Sequence, residues 1–181
     1  MSFLDNLNFI GTRLQFQPNL SESSQYNLLF NHNKISVIYP EFLPDNCKSV
    51  NFSSNKISSD GIPYEWPDSV ESINLDSNNI QEMDTIVWPA KLRHLSLRYN
   101  PLKQIPFGLP NSLETLDIEG TKVVNIPEGI LPESLKTLTV RGCPIDILVT
   151  PEHCEVKGLF QPCAKSSKDI EHVRDIDQWG C

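Results

Sequence analysis

The sequence predicts a β-rich solenoid with a parallel sheet of seven to eight short strands, and three observations predict it. Asn33, Asn55, Asn78 and Asn100 recur at intervals of 22, 23 and 22 residues. Each stands three residues after the second member of an apolar pair: Leu28-x-Phe30, Val50-x-Phe52, Ile73-x-Leu75 and Leu95-x-Leu97. Prolines punctuate the other half of the period, with Pro44, Pro67, Pro89, Pro110 and Pro132 in one register and Pro106 and Pro127 in another. A period this short is the mark of stacked turns that share one core, because a single turn cannot bury its own apolar face.

The register continues as Leu116-x-Ile118 before Thr121 and Leu138-x-Val140 before Cys143, and it reaches back to Leu7-x-Phe9 before Thr12. This gives a solenoid over residues 1–158, about seven repeats of 21–23 residues plus a short last strand at His153–Lys157. Residues 159–181 follow as a C-terminal capping tail, with a short helix opened by Ser166 or Ser167 and closing near Trp179. The stretch Thr137-Leu-Thr-Val-Arg141 shows how one repeat works. Leu138 and Val140 point inward and their neighbours outward, with the period of two that marks a half-buried strand. Gly142 and Pro144 end it, and Ile145 and Leu148 turn the chain back to the core. Equivalent return anchors are Ile35 and Ile38, Ile80 and Met83, Leu102 and Ile105, and Val123 and Ile126. Proline fixes φ and lacks an N–H, so the return side reads as extended or polyproline-like, with short turns and no helix.

The asparagines have a structural reason. Where the chain leaves a strand, backbone groups are stranded without partners, and a side-chain amide carries both donors and an acceptor. Asn33, Asn55, Asn78 and Asn100 therefore form a column bridging successive turns. Thr121 and Cys143 continue that column with weaker hydrogen-bonding capacity.

A net charge of −8 and a pI near 4.9 argue against nucleic-acid binding, which needs a basic face. The opening residues MSFLDNLNF carry no basic n-region and no apolar run, and no apolar stretch of about 18 residues occurs anywhere. Five cysteines at irregular spacing suit a reducing compartment, so the expected location is cytoplasmic or otherwise intracellular, with no membrane partner. No phosphate-binding glycine loop, Ser-His-Asp arrangement or His-Glu-x-x-His segment occurs, so neither an enzyme nor a cofactor is expected. His153, Cys154, Cys163, His172 and Cys181 gather near the C-terminus, but their spacing matches no zinc module, and no metal is assigned.

Outward positions stack into vertical columns about 4.8 Å per repeat. Two are polar and mostly uncharged: Asn6, Asn27, Ser49, Ser72, His94, Thr115, Thr137, and then Asn8, Leu29, Asn51, Asn74, Ser96, Asp117, Thr139. A third reads Ile10, Asn31, Ser53, Asp76, Arg98, Glu119, Arg141, alternating in sign over its last four members. Those four are read either as a self-satisfied surface row or as a charged epitope. His94, Arg98 and Tyr99 in one repeat make the best candidate for a binding centre, since Arg and Tyr are enriched there. Exposed Leu29 and Ile10 suggest a contact near the N-terminal end, where an uncovered edge could support self-association. Trp66 and Trp88, each before a proline, read as packing residues.

The pattern Leu-x-x-Leu-x-Leu-x-x-Asn-x-Leu resembles that of leucine-rich repeats. Leu109-Pro-Asn-Ser-Leu113, Leu131-Pro-Glu-Ser-Leu135 and the variant Trp66-Pro-Asp-Ser-Val70 resemble the short repeats of bacterial effectors delivered into host cells. They are also similar to repeats of amoebae and of the large DNA viruses that infect them. The resemblance implies a right-handed superhelix whose concave sheet binds a protein partner, in an effector or host-interaction role. The alternative it leaves open is a structural component, for example of a virus particle, docking through the uncapped N-terminal end. Some bacterial relatives append a ubiquitin-ligase domain; with roughly 22 residues after the last strand, none is expected here.

Overall fold

Strands of three residues cannot satisfy their own backbone groups and must pair on both edges. In the computed structural model, which describes residues 26–83 and 85–159, they pair with the equivalent strands of neighbouring repeats. Seven strands form one parallel sheet: β1 (Tyr26–Leu29), β2 (Cys47–Asn51), β3 (Ser72–Asn74), β4 (His94–Ser96), β5 (Thr115–Asp117), β7 (Thr137–Thr139) and β9 (Glu155–Lys157). The register sets Leu28, Val50, Ile73, Leu95, Leu116, Leu138 and Val156 opposite one another, strand by strand. The members from Leu28 to Leu138 are buried, as is the second inward column of Phe30, Phe52, Leu75, Leu97, Ile118 and Val140. Phe30 and Phe52 stack with ring centroids 4.8 Å apart, and Trp66 packs against Phe52. The first repeat, the N-terminal edge on which the self-association reading rests, and the C-terminal tail from residue 160 all lie outside the described residues.

The return anchors Ile35, Ile38, Ile80, Met83, Leu102, Ile105, Val123 and Ile126 are buried, and Trp66 and Trp88 belong to the same core. The return side is more ordered than a polyproline path. It carries 3-10 turns at Pro40–Phe42 and Ser59–Gly61, and a second parallel pair of β6 (Asn125–Ile126) with β8 (Ile147–Leu148). Proline positions alternate with residues that keep an N–H, so neighbouring returns still bond across, as Val87 does to the Tyr64 carbonyl at 2.7 Å.

Two further rows recur from repeat to repeat, and the second ties neighbours together. The carbonyls of Pro44, Pro67, Pro89, Pro110, Pro132 and Pro151 each accept the N–H three residues later, making the tight turn that feeds the next strand. In the Leu-Pro-x-Ser-Leu frame, the Ser112 and Ser134 hydroxyls donate to the Leu92 and Leu113 carbonyls of the preceding repeat, both at 2.7 Å. Ser69 does the same to Cys47. That contact gives the serine of the frame its purpose.

The amide column closes the other end of each strand. Asn78 Oδ1 accepts the Ile57 N–H at 2.9 Å, while its Nδ2 lies 3.0 Å from both the Phe52 and Leu75 carbonyls. Asn55 and Asn100 repeat this arrangement one turn earlier and one turn later. Among the described residues, Asn33 Nδ2 donates within its own repeat, to the Phe30 and Asn31 carbonyls. Where the column changes residue, the Cys143 thiol donates to the Ile118 carbonyl at 3.0 Å and meets Thr121 Oγ1 at 3.2 Å.

Placing each amide requires the residue before it to turn left-handed. His32, Ser54, Ser77 and Tyr99 have φ of 53–57°, and Gly120 and Gly142 follow in the same register at 69° and 72°. A left-handed L-residue costs about 1–2 kcal/mol, so this column marks where the fold overrides local preference.

Two outcomes are expected. Asn78→Ala should lower the unfolding free energy by about 1–3 kcal/mol, the penalty for orphaned buried groups, as read by urea denaturation. Ser77→Gly should raise it by up to about 1 kcal/mol, because relief of the left-handed strain outweighs the added chain entropy of glycine. An unchanged midpoint for the first variant would remove the structural case for the column.

Candidate binding surface

The exposed face of the sheet is polar because the period-two pattern buries every second residue and leaves Ser, Thr, Asn and His between. Its two ends are chemically different. Along the N-terminal ends of the strands runs a row of alternating charge, Lys48, Glu71, Arg93, Glu114 and Lys136. Lys48 pairs with Glu71 at 3.3 Å, and Glu114 takes both Arg93 at 2.6 Å and Lys136 at 3.1 Å. Hydrogen bonds from Arg93 and then Lys136 hold the Glu114 carboxyl below the usual carboxylate range. In the sequence this row shows as charge alternation at the strand starts, Lys48 standing within β2 and the other four one position before their strands.

At the C-terminal ends, the second outward column is occupied with turning the chain. Asn51, Asn74 and Asp117 each accept, through Oδ1, the N–H two residues on, at 2.9, 2.9 and 3.0 Å. Ser96 stands in the same column and is too short for this. Asp76 of the preceding repeat substitutes for it, accepting the Arg98 N–H at 2.9 Å together with the Ser96 hydroxyl.

The expected row Asp76-Arg98-Glu119-Arg141 is therefore divided. Arg98 Nη2 pairs with Glu119 Oε2 at 2.8 Å, and Arg98 Nε lies 3.8 Å from Asp117 Oδ2. Asp76 reaches the backbone of Arg98 rather than its guanidinium. Arg141 is exposed and forms no ion pair among the described residues. Tyr99 lies across Gly120 of the next repeat, where a Cβ would come within 2.5 Å of the ring. Its hydroxyl donates to Glu119 Oε1 at 2.7 Å, and the Arg98 guanidinium sits 5.3 Å from its ring centroid. Arg98, Tyr99 and Glu119 thus form one cluster in which Tyr99 is exposed and the two charged partners are partly buried, with Asp76 and Asp117 beside it. His94 stands at the other end of β4, with Nδ1 2.8 Å from Thr115 Oγ1. Leu29 is 46% exposed on β1, three strands from β4.

Between these ends, the middle of the sheet holds a shallow depression of about 290 Å³ across β3, β4, β5 and β7. Ser72, Asn74, His94, Ser96, Thr115, Thr137 and Thr139 line it, and Asp117 is the only carboxylate among its lining residues. Burial pushes the Asp117 carboxyl above the ordinary aspartate value; its hydrogen bond from Glu119 N–H and Arg98 pull it back, and Asp76 and Glu119 raise it again.

Residues 91–111 match the family model described as Leucine Rich Repeat. The fold is similar to that of YopM from Yersinia enterocolitica WA-314, with a TM-score of 0.50, over 71% of this chain and 31% of that one. The fold is that of a leucine-rich-repeat solenoid. At 21% identity the likeness to YopM is one of fold, and the chain spans 31% of that protein's length. No curated protein sequence matches it.

Within the leucine-rich-repeat frame, the remaining candidates for chemistry are quiet. Burial pushes the Cys47 and Cys154 thiols up to about 11, so both are protonated at neutral pH rather than nucleophilic. Among the described residues no group of three or more His, Cys, Asp or Glu could hold a metal; of the C-terminal set, only His153 and Cys154 are described. No helix among the described residues is long and apolar enough to cross a membrane.

The Asp117 shift predicts a pH dependence. A carboxyl raised in the folded state binds more protons there than in the unfolded chain. Its contribution therefore falls as pH rises from the unfolded value near 3.8 through the folded one. Asp117→Asn should match or exceed wild type in melting temperature at pH 7, with the gap closing as pH falls below the carboxylate range. Thermal melts of both proteins at a series of pH values measure this.

Proposed function

We propose that this leucine-rich-repeat solenoid is a non-enzymatic protein-interaction module that binds its partner on the exposed face of the long sheet. The observation that carries this reading is the locked polar depression at mid-sheet beside the Arg98–Tyr99–Glu119 cluster. Every strand under it is fixed on both sides by backbone pairing, and its ends are fixed by the amide column and the Asx caps. A surface so preorganised loses little conformational entropy on association. The adjoining Tyr99 is half exposed with one edge anchored on Gly120, and Arg98 is held by Glu119, which makes the pair a rigid aromatic and cationic anchor of the kind enriched at binding centres.

The finer reading is an effector or host-interaction role inside a cell. It is supported by the Leu-Pro-x-Ser-Leu frame and by the likeness of fold to YopM. The Cys143 thiol, standing as a hydrogen-bond donor in the amide column, suits a reducing compartment.

The test is affinity capture with three forms of the chain. Thr115→Arg with Thr137→Arg fills the depression, and Val87→Lys with Val124→Lys alters the exposed return side instead. Partner recovery should be lost in the first and kept in the second, with both melting as wild type does. Loss of partner in the return-side variant alone would move the binding surface off the sheet.

A further inference from the structure

The fold explains why position 117 needs a side-chain acceptor. It does not explain why that acceptor carries a charge. Asn51 and Asn74 stand in the same column, and each caps the N–H two residues on with a neutral amide at 2.9 Å. Asp117 makes the equivalent bond at 3.0 Å with Oδ1 alone. An asparagine there would do the same structural work.

The charge is also disfavoured where it stands. Burial raises the Asp117 carboxyl, and the neighbouring Asp76 and Glu119 add to the rise. The nearest cation does not relieve this fully. Arg98 Nε lies 3.8 Å from Asp117 Oδ2, beyond hydrogen-bond reach, while its Nη2 is already taken by Glu119 at 2.8 Å. Two carboxylates thus share one guanidinium, with Asp76 beside them on the Arg98 backbone, and Asp117 is the one that lines the depression.

We propose that the mid-sheet depression is a subsite for a basic side chain, lysine or arginine, of a protein partner, with Asp117 as its counter-charge. The proposal rests on the sheet face being the binding surface and adds the chemistry of what binds there. The other walls suit such a guest: the hydroxyls of Ser72, Thr115, Thr137 and Thr139 accept hydrogen bonds as well as donate them, and an ammonium or guanidinium brings only donors. A partner cation would supply the neutralisation that Arg98 leaves incomplete, and opposite charges meeting across an interface fix register and exclude wrong partners. An acidic partner residue at the same place would meet a net negative cluster.

The experiment is an amide-resolved NMR titration of the folded chain with N-acetyl-arginine methylamide and with its neutral isostere, N-acetyl-citrulline methylamide. The arginine probe should shift the Thr115, Asp117 and Thr139 amides saturably, and citrulline should bind at least about tenfold more weakly, the difference due to the charge-assisted bond. Asp117→Asn should erase that preference while melting no lower than wild type. Equal binding of the two probes, shifts confined to the Lys48–Lys136 row, or no shifts at all would overturn the subsite. If these occur while Thr115→Arg with Thr137→Arg still abolishes partner capture, the binding face stands and only its preference for a cation falls.

Discussion

The structure depends on satisfying backbone groups where the chain leaves the sheet. Every repeat makes that exit, and each time the carbonyls of the strand's last residues would otherwise be buried without a donor. The asparagine amide of the next repeat reaches back to them, as Asn78 does to Phe52, and its oxygen takes the Ile57 N–H on the return path. One side chain thus joins the strand end of one turn to the return of the same turn and to its own repeat. The amide reaches that position only if the residue before it turns left-handed. Ser54, Ser77 and Tyr99 are held there at positive φ although none is glycine. The strain at these sites and the satisfaction of the buried carbonyls are two sides of one arrangement. Its cooperative character explains why a lone repeat, whose few buried aliphatics cannot offset the ordering of some twenty residues, does not stand by itself.

The same constraint divides the exposed polar groups into two kinds. Asn51, Asn74 and the Oδ1 of Asp117 are already engaged with backbone, as is Asp76 on behalf of Ser96. The charges from Lys48 to Lys136 are largely engaged with each other, and such exposed pairs contribute little to stability. What remains for another molecule is a smaller set: the hydroxyls of Ser72, Thr137 and Thr139, the outer edge of Tyr99, the second oxygen of Asp117, and Arg141, which forms no ion pair among the described residues. A polar sheet is therefore less available than its composition suggests, and its available part is concentrated at the middle strands.

The inward half of this architecture was legible in the sequence because burial imposes a period on it. Leu28 through Leu138, the return anchors and the proline register all repeat at intervals that no other fold would need. The asparagines were legible for the same reason, since few residues offer an amide's donors and acceptor together. The left-handed column was harder to see. Gly120 and Gly142 mark it, but His32, Ser54, Ser77 and Tyr99 do not look like residues of positive φ, and only the shared register exposes them. The outward charges misled in one respect. Alternation of sign in one column suggests ion pairs, yet pairing also depends on what each neighbour needs for its own turn, and the substitution of Ser for Asn at position 96 diverted Asp76 to the backbone. The alternation that does form ion pairs lies at the N-terminal ends of the strands, where no turn competes for the carboxylates.

That competition shows how such a scaffold can vary its partner without losing its fold. Each repeat touches only its neighbours, so an outward substitution is answered within one turn. Ser96 needed one compensating residue, Asp76, and nothing beyond it moved out of register: Ser96 still stands opposite Asn74 and Asp117 in the ladder. Inward positions have no such freedom, because a change there is felt along the whole hydrophobic column. Specificity is consequently written in the outward columns, and a residue reports function most clearly where its chemistry exceeds what its turn requires. Asn74 meets that requirement with a neutral amide. Asp117 meets it and retains a half-buried negative charge facing the depression, which the local turn leaves unexplained and a cationic guest would explain.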